Sequence, residues 1–93
     1  MKDLILNVRE RWFRDIESGI KTEEYRELKP YWAKRLEGKE YDRVIIKLGY
    51  PKKEDKGKQI IFPWNGYYIK HVISDEWNGE EKSVFAIQLR PHA

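Results

Sequence analysis

The sequence predicts an α+β, mainly β protein: a small β-barrel of about six strands with two helices in the first half. Three observations lead there. The chain has 93 residues and no cysteine, so it forms one core, with residues 1–93 as a single domain. Short apolar runs recur between Gly, Pro and Asn-Gly signals, which is strand spacing. The two stretches with helical spacing both precede residue 40. Strands so closely spaced favour closure, because closure removes exposed edges. Leu, Ile, Val and Phe make up about a quarter of the chain, above the ~20% that marks disorder.

Leu4–Asn7 is an apolar run bounded by polar residues and predicts the first strand. Asn7 and Glu10 form a capping box that opens a helix near Val8. Trp12, Phe13, Ile16 and Ile20 share its apolar face, and Gly19 ends it in the left-handed conformation. Lys21–Leu28 alternates as a strand, polar on both faces, so it is an edge or lines a cleft. Pro30 and Gly38 bracket a short helix over Tyr31–Glu37, with Trp32 and Leu36 inward. Asp42–Gly49 is the clearest strand, with Val44, Ile46 and Leu48 on one face. Lys52–Lys58 is a charged loop. Gln59–Phe62 and Tyr67–Ser74 are strands joined at Asn65-Gly66, a dipeptide suited to a tight hairpin. A polar connection around Asn78-Gly79 leads to a last strand, Val84–Leu89, with Phe85, Ile87 and Leu89 inward.

The composition excludes several classes of function. No apolar run approaches the ~18 residues of a membrane span, and the charged start does not have the form of a signal peptide. Without cysteine there are no disulfides, thiolate nucleophiles or the usual zinc sites, which fits a reducing cytoplasm. His71 and His92 are far apart and lack a ligand cluster, so no metal is expected. None of Ser18, Ser74 and Ser83 sits in a nucleophile elbow, and no Gly-rich phosphate loop or dinucleotide fingerprint is present, so no cofactor is expected. The net charge of +3 is unevenly placed: residues 29–58 carry +5 and the flanking thirds −1 each. A basic zone suits a polyanion, and equally suits a solvated lysine-rich surface. The four tryptophans are either core filler or base-stacking platforms.

The unusual stretch is Gly19-Ile-Lys-Thr-Glu-Glu-Tyr-Arg26. Glu24 and Arg26 lie two residues apart on one face of a strand, with Lys21 at its mouth. An ammonium, a carboxylate acceptor and a guanidinium fork together suit a polar ring edge or a phosphate. They also suit acid–base work if Lys21 is desolvated, or they are surface ion pairs worth at most about 1 kcal/mol each.

Gly19-x-Lys21-Thr22-x-Glu24-x-Arg26, placed after an amphipathic helix, resembles the signature of the ASCH domain family, relatives of the PUA-like superfamily. The strand Tyr41-Asp42-x-Val44-Ile45-Ile46, ending at Tyr50-Pro51, is similar to the family's next barrel strand, so the likeness covers roughly residues 3–51. The resemblance implies a PUA-like barrel with a cleft where Lys21, Glu24 and Arg26 converge, and binding of RNA, a nucleotide or a modified base in the cytoplasm. It implies that Gly19 allows the turn, that Lys21 and Arg26 contact the ligand, and that Glu24 orients them. Thr22, Trp32, Lys34, Arg35, Tyr50 and Trp64 complete the candidate ligand-contacting set. Some small members of the family are amidohydrolases acting on N4-acetylcytidine with a Lys, a Thr and a distant Glu. Lys21 matches the Lys, Glu24 stands at the Thr position, and Asp75, Glu76, Glu80 and Glu81 are candidates for the distant acid. The alternatives to a binding module are therefore a hydrolase, with Lys21 and Glu24 catalytic, acting on a modified nucleoside or on single-stranded RNA, and a protein-interaction adaptor.

Overall fold

The computed structural model describes residues 2–49, 58–73 and 77–90. In chain order the elements are β1 (Asp3–Val8), α1 (Glu10–Glu17), β2 (Glu23–Glu27), α2 (Pro30–Leu36), β3 (Arg43–Leu48), β4 (Gln59–Pro63), β5 (Tyr67–Ile73) and β6 (Glu81–Gln88). Six strands and two early helices agree with the expected α+β composition. The expected charged loop at Lys52–Lys58 lies outside the described residues save for Lys58, as do Tyr50, Ser74, Asp75, Glu76 and His92.

The strands form two three-stranded sheets, β1-β3-β4 and β2-β6-β5. Their ladders do not close into a barrel among the described residues. β1 pairs with β3 in parallel, Leu4 opposite Val44 and Leu6 opposite Ile46, and so passes over β2. β4 continues that sheet and β5 belongs to the other. Pro63–Gly66 therefore carries the chain from one sheet to the other rather than making the hairpin expected at Asn65-Gly66. Asn65 instead donates to the Arg90 carbonyl at 3.2 Å. An Asn-Gly turn lies instead at Asn78-Gly79, within the connection from β5 to β6. Both residues there have positive φ, and Glu80 N–H closes the turn on the Trp77 carbonyl at 2.9 Å.

The core fills the space between the sheets. Leu4, Leu6 and Val8 of β1, Val44 and Ile46 of β3, and Phe85 and Ile87 of β6 meet Phe13 and Ile16 of α1 and Leu36 of α2. β6 is the middle strand of its sheet, and Val84 and Ala86 on its other face are also buried. Ion pairs between long side chains lie across that face: Glu23 of β2 with Lys70 of β5 at 2.6 Å, and Glu27 of β2 with Lys82 of β6 itself at 3.0 Å.

Two local expectations are corrected. The residue preceding α1 is Arg9, with no side-chain cap, because Asn7 is held inside β1 by its pairing with β3. Glu10 instead supports the first turn through the dipole and a 2.6 Å pair with Arg14. Ile20 does not share the face of Phe13 and Ile16: the helix stops at Glu17, and Ile20 is 79% exposed beyond the turn. Gly19 has φ +83°, the left-handed value that stops the helix. Lys21 N–H then donates back to the Asp15 carbonyl at 2.9 Å, which folds the chain under the helix and delivers the Lys21 side chain inward.

Candidate functional site

The Gly19 turn and the alternation of β2 bring Lys21, Glu24 and Arg26 together. Glu24 is the centre: its residue is 6% exposed and each carboxylate oxygen takes one cation. Oε1 lies 3.3 Å from Lys21 Nζ, and Oε2 accepts from Arg26 Nη2 at 2.7 Å. The same Arg26 nitrogen donates to the Asn7 carbonyl at 2.9 Å, so Arg26 ties β2 of one sheet to β1 of the other. Its guanidinium lies 4.9 Å from the Trp32 ring, and its buried Nε has no hydrogen-bond partner among the described residues.

Aromatic rings complete the site. Lys21 Nζ is 4.5 Å from the Trp12 ring and 4.9 Å from the Tyr25 ring, so the ammonium sits between two π-faces with a carboxylate below. Arg11 covers Trp12 at 4.4 Å. Trp77, set by the Asn78-Gly79 turn, stands over the site with Lys82 at 5.2 Å from its ring. Trp12, Lys21, Glu24, Tyr25, Arg26 and Trp77 border a cleft of about 350 Å³. β2 is an edge strand, so the cleft laps around it and takes Tyr25 from one face and Glu24 and Arg26 from the other. Among the described residues that border the cleft, Arg9, Lys21 and Arg26 are cationic and Glu24 is acidic. The described lining combines cations with flat aromatic walls, a chemistry suited to an anion attached to a planar ring.

The remaining candidates scatter. Trp32 borders an adjoining cleft. Thr22 and Gly19 border a separate depression beneath the end of α1, and the Thr22 carbonyl accepts from Leu89 N–H at 2.9 Å. Lys34 and Arg35 are exposed on α2, with Arg35 3.9 Å from the Tyr31 ring, and neither borders the cleft. Trp64 packs on the core edge-to-face with Tyr41, ring centres 5.1 Å apart. Glu80 and Glu81 are exposed and do not border the cleft. Within the basic zone, Arg43 is forked onto Asp3 at 2.9–3.0 Å and Lys29 pairs with Glu27 at 2.9 Å. Among the described residues no group of three His, Asp or Glu side chains could hold a metal ion, and no helix is long and apolar enough to cross a membrane.

Sequence reasoning missed Trp12, Tyr25 and Trp77 as walls of the cleft. The signals were present. Trp12 precedes the buried Phe13 and so stands at the border of the apolar face, Tyr25 lies inside the motif, and Trp77 directly precedes the Asn-Gly turn.

The fold and the cleft define a small α+β chain with a polar, aromatic-walled pocket at the edge of one sheet. Comparison with protein-family models, curated proteins and solved structures finds no match to this chain.

Proposed function

We propose that the chain is an ASCH-like module, its two sheets the halves of a PUA-like barrel, that binds RNA or a nucleotide through this cleft in the cytoplasm. The observation that carries the proposal is the convergence of Lys21, Glu24 and Arg26 between aromatic faces. Lys21 supplies a point charge and Arg26 a donor fork for phosphate or a base edge. Glu24 holds both cations in place. Trp12, Tyr25 and Trp77 wall the cleft with aromatic surface, against which any base can pack beside the cations. The test is retention of short single-stranded RNA and of nucleoside monophosphates by wild type and Lys21→Ala at low and high salt. Binding that falls steeply with salt and weakens about tenfold in the variant supports the proposal. Salt-independent binding, or equal binding by the variant, overturns it.

A second reading rests on the 3.3 Å Lys21–Glu24 pair, which is nearly closed from solvent. Such a pair can shuttle a proton at a carbonyl, as a hydrolase acting on an acylated nucleoside requires. Mass spectrometry of acylated cytidines incubated with the protein decides: a deacylated product that disappears with Lys21→Ala supports this reading, and an unchanged substrate ends it.

A further inference from the structure

The cleft does not end at Arg26. A second cleft of about 300 Å³ adjoins it, and the two share Tyr25, Arg26 and Trp77 as a common wall. The far side of the second cleft is formed by Trp32, with Glu27 and Lys29 at its rim. Each compartment therefore has its own tryptophan, Trp12 in one and Trp32 in the other. A guanidinium and two shared rings stand between them. Each volume lies near the lower limit of ~300 Å³ for a small-molecule pocket, room for one nucleoside-sized group and not for two.

We propose that the ligand is a single-stranded oligonucleotide, with consecutive bases in the two compartments and the linking phosphodiester at Arg26. The inference rests on the nucleic-acid reading of the first cleft and adds its substrate class. The charges agree with it. Arg26 is the cation common to both clefts, and at the rim of the second Glu27 is held between Lys29 and Lys82 at 2.9 and 3.0 Å, one carboxylate against two cations. A phosphodiester carries one negative charge and needs donors on its flank, which Arg26 supplies from a position fixed by Glu24 and Asn7. A free mononucleotide would leave the Trp32 compartment empty.

The test is calorimetric titration of the full chain, at fixed salt, with uridine monophosphate, the dinucleotide pUpU, and the same dinucleotide lacking its second base. Stacking of one further base is worth roughly tenfold or more in affinity. The dinucleotide is expected to bind at least tenfold tighter than the mononucleotide, and the abasic form to lose most of that gain. In Trp32→Leu the ratio of dinucleotide to mononucleotide affinity is expected to fall to about threefold or less, with Trp32→Phe restoring it. Thermal melts confirm that both variants fold. Equal affinity for mononucleotide and dinucleotide, or an abasic dinucleotide that binds as well as the intact one, overturns the two-base proposal and leaves the binding function standing. Binding of neither overturns both.

Discussion

Replacing Glu24 by Gln removes one negative charge from between two cations. Lys21 and Arg26 keep only 15% and 19% of their side-chain surface exposed, so water can compensate little. Breaking a fully buried pair costs about 3–5 kcal/mol. Here both cations keep some solvent, and the Gln carbonyl still accepts one hydrogen bond, so about 2 kcal/mol is expected. In a domain of this size that lowers Tm by on the order of 10 °C. The loss comes from an uncompensated cation, so removing the cation should return part of it. Lys21→Met keeps an apolar stem against Trp12 without the charge, and the double variant is expected to regain about 1 kcal/mol over the sum of the single effects. Thermal and urea unfolding of the four proteins measure the cycle. A Tm for Glu24→Gln within about 2 °C of wild type, or strict additivity, would refute the view that Glu24 holds the two cations.

Three further outcomes are expected. Burial works to raise the Glu23 carboxyl, but hydrogen bonds from Lys70, Gln88 and Tyr25 outweigh it and hold it below its ordinary 4.5. A lowered folded value gives stability that is complete above 4.5 and is lost as pH falls through the folded value, so the urea midpoint should fall with pH over that range, and fall less in Glu23→Gln. Gly19→Ala meets no atom within 4 Å but must hold φ +83°, so urea titration should show a loss of about 1 kcal/mol from backbone strain alone. Phe85→Ala removes a fully buried ring and should cost about 3–5 kcal/mol, whereas Ile20→Ala, at 79% exposure, should stay within about 0.5 kcal/mol.

The elements were legible in the sequence because their signals are local. Pro30 opens a helix, Gly19 closes one, and the alternation around Val44 and Ile46 marks a strand without reference to the rest of the chain. The motif placed Lys21, Glu24 and Arg26 together for the same reason, since a turn and a period of two decide it. Pairing was not legible. Nothing near Leu6 indicates that its partner is Ile46, or that the join is parallel. Two Asn-Gly dipeptides carry one signal, yet only Asn78-Gly79 lies in a hairpin connection, because the strands flanking Asn65-Gly66 belong to different sheets. Trp77 reaches the cleft only through that hairpin, so its place depended on pairings that local pattern does not encode.

The parallel join of β1 to β3 also sets an order of events in time. Asp3 finds Arg43 40 positions along the chain, and the rest of β1 keeps that offset. The β5–β6 hairpin closes locally, on the microsecond scale of such turns. The β1–β3 ladder must wait for a long loop to close, and non-local pairings of this kind form slowly. In that interval Leu4, Leu6 and Val8 lie open on an unpaired strand. Refolding yield should therefore fall as protein concentration rises, because another chain can reach β1 before β3 does.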